Sequence, residues 1–154
     1  MPLAALLARE NLNVAADRAL GHYTHEKSPI AAAAALATIE FIESENLLTH
    51  VCALSKFALR HLRAMQRRQP LIGEVRGLGL ILGVELVKDR ATMERATDAA
   101  DLVLYEALSH GLDFKVSMGN ILLLMPALTI TKEEMKRALV ILEEAINTVS
   151  RLKR

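Results

Sequence analysis

The chain has no tryptophan, three phenylalanines, two tyrosines and one cysteine, Cys52, among its 154 residues. A single cysteine excludes an internal disulfide and suits a reducing compartment, so the sequence reads as cytoplasmic. It sits beside Val51 and Leu54 on an apolar helix face, which predicts a buried thiol. With aromatics at 3% and a formal net charge of +1, there is neither a basic stripe nor an aromatic ladder, and no nucleic-acid partner is expected. Arg60, Arg63, Arg67 and Arg68 do cluster, but at the end of a long predicted helix, where cations complement the dipole. Long apolar runs are missing too. Residues 30–39 are too few to span a bilayer and soon meet Glu40 and Glu43; residues 1–7 are apolar without the basic flank of a signal peptide. No membrane partner is therefore expected. Metal signatures are also absent: His22 and His25 stand beside Glu26, but there is no HExxH, no cysteine pair and no further histidine cluster. Ser28 and His25 lack the glycine elbow and acid partner of a hydrolytic triad.

What fills the chain is aliphatic. Hydrophobic residues make up 52% of it and the mean hydropathy is +0.24, against a usual apolar share of roughly 45–50%. The length suffices for one domain. Alanine, leucine, isoleucine and valine on helix faces predict some apolar surface that another domain or subunit covers. The alternative is an alanine-rich helical protein whose core is already covered.

Periodicity divides the chain into elements. Residues 3–8 are a short apolar run that reads as a buried strand. A helix is predicted over about residues 29–43, with Ile30, Ala33, Ala34, Ala37 and Phe41 near helical spacing. Asn46 can cap a second helix that runs to about Gln69, with Leu47, Val51, Leu54, Ala58, Leu62 and Met65 as its stripe, and Pro70 ends it. Residues 72–87 read as two strands or one bent one, punctuated by Gly77, Gly79 and Gly83. A helix over residues 92–110 closes on Gly111, a fitting residue after a C-cap. Residues 113–116 and 120–125 read as a hairpin around Ser117, Met118 and Gly119. Thr131-Lys132-Glu133-Glu134 is a capping box for a last helix carrying Leu139, Leu142, Ile146 and Val149. His50, His61 and His110 fall on or at the ends of helices and are expected to face solvent. The order predicts an α+β fold, a small antiparallel sheet backed by helices.

Two glycine-bearing segments invite chemistry. Gly77-Leu78-Gly79-Leu80-Ile81-Leu82-Gly83 has the look of a nucleotide loop, but it lies in an apolar run with no helix after it, so glycines at a strand bend are the better reading. Gly21-His22-Tyr23-Thr24-His25-Glu26-Lys27-Ser28-Pro29 joins a polar loop to a helix start. Ser28 can cap the first turn and Pro29 fits the first helical position. The loop is then either a solvated cap or an anion site at a helix N-terminus.

Four segments together resemble the C-terminal part of class III (omega-type) aminotransferases, pyridoxal-phosphate enzymes of fold type I. Met1-Pro2-Leu3-Ala4-Ala5-Leu6-Leu7-Ala8-Arg9-Glu10 looks like the strand that follows the family's Schiff-base lysine. Residues 21–29 look like its Gly-x-x-Thr-x-x-x-x-Pro loop. Val75-Arg76-Gly77-Leu78-Gly79-Leu80-Ile81-Leu82-Gly83-Val84-Glu85-Leu86 looks like its VRGxGLxxGxEL signature, and residues 120–131 look like its late N-x-L-R-x-x-P-P-L-x-I-T segment. The resemblance implies a large-domain remnant with a strand and cofactor-phosphate loop (residues 1–28), a long helical connector (29–69) and a C-terminal small α+β domain (70–154). It implies pyridoxal 5'-phosphate as cofactor, with Thr24 on its phosphate across a dimer and Tyr23 and His25 as flanking candidates.

The implied substrates are a small-molecule amine and a keto acid, and the implied assembly is a homo-oligomer, a dimer. The resemblance places the Schiff-base lysine upstream of Met1, so the chain is expected to be a truncated portion without transaminase activity of its own, and Lys27 to be solvated. Leu123 stands where many members carry an arginine that takes the substrate carboxylate, and Ala127 replaces the second proline. No catalytic and no metal residue is assigned. The competing reading is a stand-alone, non-catalytic α+β interaction module.

Overall fold

The computed structural model describes residues 4–15, 17–18 and 28–152. The chain falls into two compact units, Met1–Asn46 and Leu47–Arg154.

In the first unit, residues 4–9 carry no regular secondary structure, and Leu6 and Leu7 are exposed. A strand was expected there. A strand holds its shape through ladder hydrogen bonds to a neighbour, and among the described residues these have none. A 3-10 turn follows at Glu10–Leu12. Helix α1 spans Pro29–Ser44 and begins as the sequence predicts, with Pro29 in the first turn and the Ser28 hydroxyl accepting from the Ala31 N–H at 3.5 Å. It ends where Asn46 takes a φ of 49° and donates its N–H to the Glu43 carbonyl at 3.1 Å. Asn46 thus occupies the left-handed position after a helix, which asparagine tolerates better than most residues. Ile30, Leu36, Ile39 and Phe41 all point outward, and Ala31 is the one buried residue of α1.

The second unit is a two-layer sandwich. Helix α2 (Leu47–Arg68) is followed by strands β1 (Ile72–Leu78) and β2 (Ile81–Asp89). A two-residue strand β3 (Glu94–Arg95) precedes helix α3 (Thr97–Ser109). Then come β4 (Lys115–Ser117), β5 (Ile121–Leu124) and helix α4 (Lys132–Leu152). The strands pair antiparallel in the order β1-β2-β5-β4, and β3 adds to β2.

The predicted stripes are the observed core. Leu54, Ala58, Leu62 and Met65 of α2 and Leu139, Leu142, Ile146 and Val149 of α4 are buried against Ile72, Leu82, Val84, Leu86 and Leu122 of the sheet. The capping box of α4 forms as read: the Glu134 N–H donates to Thr131 Oγ1 at 3.1 Å, and Glu134 Oε2 accepts from the Thr131 N–H at 2.8 Å. Gly79 turns β1 into β2 with a φ of 56°, and Gly111 ends α3 with a φ of 84°.

Three expectations are corrected. Helix α3 starts at Thr97 rather than residue 92. Ahead of it the Asp89 carboxylate accepts from the Ala91 N–H at 2.8 Å and the Thr92 hydroxyl from the Glu94 N–H at 3.4 Å. Such short side-chain bonds to the backbone outcompete helix formation and turn the chain into β3. Cys52 is exposed, not buried. Successive helix residues differ by about 100°, so the stripe through Val51 and Leu54 carries its neighbour to the solvent side. Of the three histidines expected in solvent, His110 is exposed, but His50 is half-buried with Nε2 2.9 Å from the Ile130 carbonyl. The Nε2 of His61 is buried, without a hydrogen bond among the described residues and 3.6 Å from Glu143. Arg68 also reaches Glu143, at 2.6 Å, so α2 and α4 are joined by charge at the end where the arginines cluster.

One bracing residue had no sequence signal. Arg90, just past β2, donates Nε to the Ile72 carbonyl at 2.9 Å and Nη2 to the Gln69 carbonyl at 2.6 Å, and also reaches the Gln66 carbonyl. It ties the last turn of α2, through Gln66, to the connection at Gln69 and to Ile72 at the start of β1.

Candidate functional site

Helices α2, α3 and α4 cover one face of the sheet, so half of each strand's side chains are free to do chemistry on the other. The pairing register fixes which. Arg76 stands opposite Gly83, Gly83 opposite Leu123, and Leu123 opposite Lys115, so these four form one row across β1, β2, β5 and β4. The next row holds Glu74, Glu85, Ile121 and Ser117. Directly opposed residues of an antiparallel pair share a face, and the buried Leu82, Val84 and Leu122 between them face the helices.

Charge on this open face is organised around Arg76. Its Nη1 donates to Glu74 Oε2 at 2.6 Å and to Glu85 Oε2 at 2.7 Å. Nε and Nη2 have no partner among the described residues. Glu85 also accepts from Asn120 Nδ2 at 3.4 Å, and the same Nδ2 donates to the Leu86 carbonyl at 2.9 Å. Asn120 is buried, and its Oδ1 has no partner among the described residues. The hydrogen bond from Arg76 is the main reason the Glu85 carboxyl is held below its ordinary value, with Asn120 adding to it. The same bond is the main reason the Arg76 guanidinium is raised above its own. Both groups are therefore charged throughout the physiological range.

Beside Arg76 the face opens into a cleft of about 370 Å³ walled by Gly83, Ser117, Ile121 and Leu123. Leu123, half-buried, puts an aliphatic side chain where the family resemblance leads one to expect an arginine. Lys115, opposite it, is exposed, and its Nζ makes no ion pair or hydrogen bond among the described residues. A second hollow of about 210 Å³ lies between β4, β5 and α4; Phe114, Leu124, Pro126 and Met135 make its wall mainly apolar, and Asp113 and Lys115 also line it.

The three residues that the sequence offered for cofactor phosphate, Thr24, Tyr23 and His25, lie outside the described residues. Arg76, Glu74, Glu85, Asn120 and Lys115 were not singled out, although the alternation of Glu74 and Arg76 with Val75 in β1 carried the signal. The described residues do not by themselves form a cradle for pyridoxal phosphate. Every described lysine, namely Lys56, Lys88, Lys115, Lys132 and Lys136, is exposed, whereas an amine that forms a Schiff base is activated by burial or by a neighbouring cation. Nor does any group of three or more His, Cys, Asp or Glu among the described residues have the arrangement to hold a metal ion. No described helix is long and apolar enough to cross a membrane.

Comparison with known proteins agrees with this architecture. The chain is 52% identical to (R)-1-hydroxy-2-aminoethylphosphonate ammonia-lyase of Vibrio splendidus over 97% of its own length and 31% of that protein. It is 42% identical to leucine/methionine racemase of Thermococcus litoralis over 97% of this chain and 34% of that one. Among solved structures, adenosylmethionine-8-amino-7-oxononanoate aminotransferase of Methanocaldococcus jannaschii superposes with a TM-score of 0.77 at 30% identity, covering 92% of this chain and 32% of that one. The chain thus spans about a third of the length of the curated relatives it matches. The pyridoxal-phosphate-dependent family described as aminotransferase class III matches residues 1–146, and the chain belongs to it.

Proposed function

We propose that this chain is the C-terminal portion of a pyridoxal-phosphate enzyme that acts on the carbon–nitrogen bond of a small amine. Amino-group transfer to a keto acid is the family's reading. The observation that carries the substrate side is Leu123. A leucine cannot form the bidentate fork that an arginine offers a carboxylate, while Lys115, free on the same face, can meet an acidic group as a point charge. An amine whose acid group is not an α-carboxylate fits that exchange. The 52% identity to a lyase acting on a hydroxy-aminophosphonate favours a second reading, release of ammonia from such a substrate with no keto acid consumed.

The cofactor, when bound, supplies the electron sink at the amine-bearing carbon. This portion of the polypeptide contributes the acid-group contact, the open face that shapes the substrate side, and Thr24, whose hydroxyl donates to the cofactor phosphate across a dimer. Tyr23 and His25 flank that contact. The outward Ile30, Leu36, Ile39 and Phe41 of α1 supply apolar surface for the partner subunit. The setting is the cytoplasm, where Cys52 stays reduced.

The test uses the polypeptide encoded together with the sequence upstream of codon 1. Ammonia release from 1-hydroxy-2-aminoethylphosphonate without a keto acid supports elimination; alanine formation only when pyruvate is added supports transfer. Absence of both, or a stop codon directly upstream, refutes the enzyme reading in favour of the interaction module. In the same protein Thr24→Val removes one hydrogen bond to a charged group, about 1.5–3 kcal/mol, and should weaken cofactor retention by roughly ten- to a hundred-fold. Unchanged retention with a small change in thermal stability removes Thr24 from the site.

A further inference from the structure

The strongest unassigned feature of the molecule is an arginine that is only half used. Arg76 carries five N–H donors in a planar fork. Two of them, on Nη1, are engaged by Glu74 and Glu85 at 2.6 and 2.7 Å. The donors on Nε and Nη2 have no partner among the described residues, and these two nitrogens form the edge that takes an oxyanion bidentately. Two other arginines of the unit are spent differently: Arg90 uses Nε on the Ile72 carbonyl and Nη2 on the Gln69 carbonyl, and Arg68 closes on Glu143.

The surroundings fit a ligand. Opposite Arg76 stands Gly83, which leaves the floor bare; a Cβ there would sit 3.7 Å from Arg76 Cγ, in the space beside the guanidinium stem. Leu123 and Ile121 make an apolar wall of the cleft, and the half-buried Ser117 adds a hydroxyl. The two carboxylates that hold Arg76 are unequal. Glu85 has only 18% of its side chain exposed and is tied to Asn120, whereas Glu74 is 53% exposed. Glu85 therefore fixes the guanidinium, and Glu74 is free to yield its place.

We propose that Arg76 is an anion-recognition residue: its free Nε/Nη2 edge takes the phosphonate or carboxylate of a small molecule lying over Gly83 and Leu123, with Glu85 and Asn120 as positioning residues and Glu74 as the competing carboxylate. This rests on the reading that the open sheet face meets substrate. Two carboxylates around one guanidinium oppose an incoming anion, so occupancy requires Glu74 to swing aside. The arrangement then selects for ligands with enough charge to displace it, a phosphonate dianion before a monoanionic carboxylate.

The probe is methylphosphonate, titrated into this chain and followed at the Arg76 Nε–H by NMR. The wild type should show a saturable shift at Arg76. Arg76→Gln should weaken binding roughly ten- to a hundred-fold, the scale of a charge-assisted bond pair. Arg76→Lys keeps the charge without the fork and should fall between; it also serves if Arg76→Gln loses the fold by circular dichroism. Glu74→Gln should tighten binding. Arg68→Gln, away from the face, should leave it unchanged. The proposal is overturned by the absence of a saturable shift at Arg76 in the wild type, by equal affinity in wild type and Arg76→Lys and Arg76→Gln, or by an equal loss with Arg68→Gln, which would mark diffuse surface charge. The enzyme reading fails separately. If the longer polypeptide turns over no amine while methylphosphonate still binds through Arg76, the anion site stands without that function.

Discussion

The glycines of the 77–83 segment should respond to alanine in opposite ways. A Cβ built at Gly77 would meet the Ile81 carbonyl oxygen at 2.7 Å, Leu82 Cδ2 at 2.8 Å and Leu82 Cα at 3.2 Å. Two of those atoms are backbone of the paired strand β2, which cannot rotate away, so relief requires β1 and β2 to separate along their ladder. Overpacking of this kind costs about 1–3 kcal/mol. At roughly 2–4 °C per kcal/mol for a chain of this size, Gly77→Ala should lower the melting temperature by about 2–12 °C. At Gly83 the nearest atoms lie at 3.5, 3.7 and 3.9 Å, which is ordinary contact. Gly83→Ala should therefore be neutral or stabilising by about 0.4–1 kcal/mol, through the lost freedom of the unfolded chain. Gly79→Ala should destabilise for a third reason, the φ of 56°, at about 1–2 kcal/mol. Urea unfolding at constant m measures all three. If Gly77→Ala unfolds at the wild-type midpoint, or Gly83→Ala is as damaged as Gly77→Ala, the strand-pairing argument is wrong.

Thr131→Ala removes one half of the α4 capping box and should cost about 1 kcal/mol; a Thr131→Ser variant should restore most of it, and equal stability of all three would show that the cap is idle. The Glu85 carboxyl is held below its ordinary value of 4.5, first by the bond from Arg76. The native state then binds fewer protons than the unfolded chain at acid pH. The pair's contribution is fully present above that ordinary value and is lost as pH falls through the folded one. Glu85→Gln should flatten this acid limb of the stability curve, and an unchanged limb would count against the pairing. Cys52, being exposed, should react with a thiol reagent in the native protein at a rate that denaturant hardly changes. Reaction only on unfolding would restore the buried thiol.

What the sequence settled by itself is whatever rests on local chemistry or on the period of a single element. The α2 and α4 stripes, the Ser28 cap, the Thr131–Glu134 box and the Gly79 and Gly111 turns are short-range patterns, and each stands where it was read. The four family-like segments were legible for the same reason, as strings. Strand β3 and the late start of α3 were not, because the bonds of Asp89 and Thr92 to the backbone compete with a helical pattern only once the chain has turned. The apolar run at residues 3–8, described from residue 4 on, shows the reverse failure: its composition suits a strand, but a strand exists only with a neighbour.

The candidate site was decided by pairing. Arg76 and Glu85 lie in one hairpin and Lys115 and Leu123 in another far along the chain, and the antiparallel register of β1, β2, β5 and β4 sets the two pairs side by side on the uncovered face. A slip of one residue in any strand would turn its members toward the helices instead. Residue type gave this protein its candidate chemistry, and the sheet's register gave that chemistry a common surface, because side-chain direction in a strand alternates with a period of two and only tertiary pairing fixes its phase.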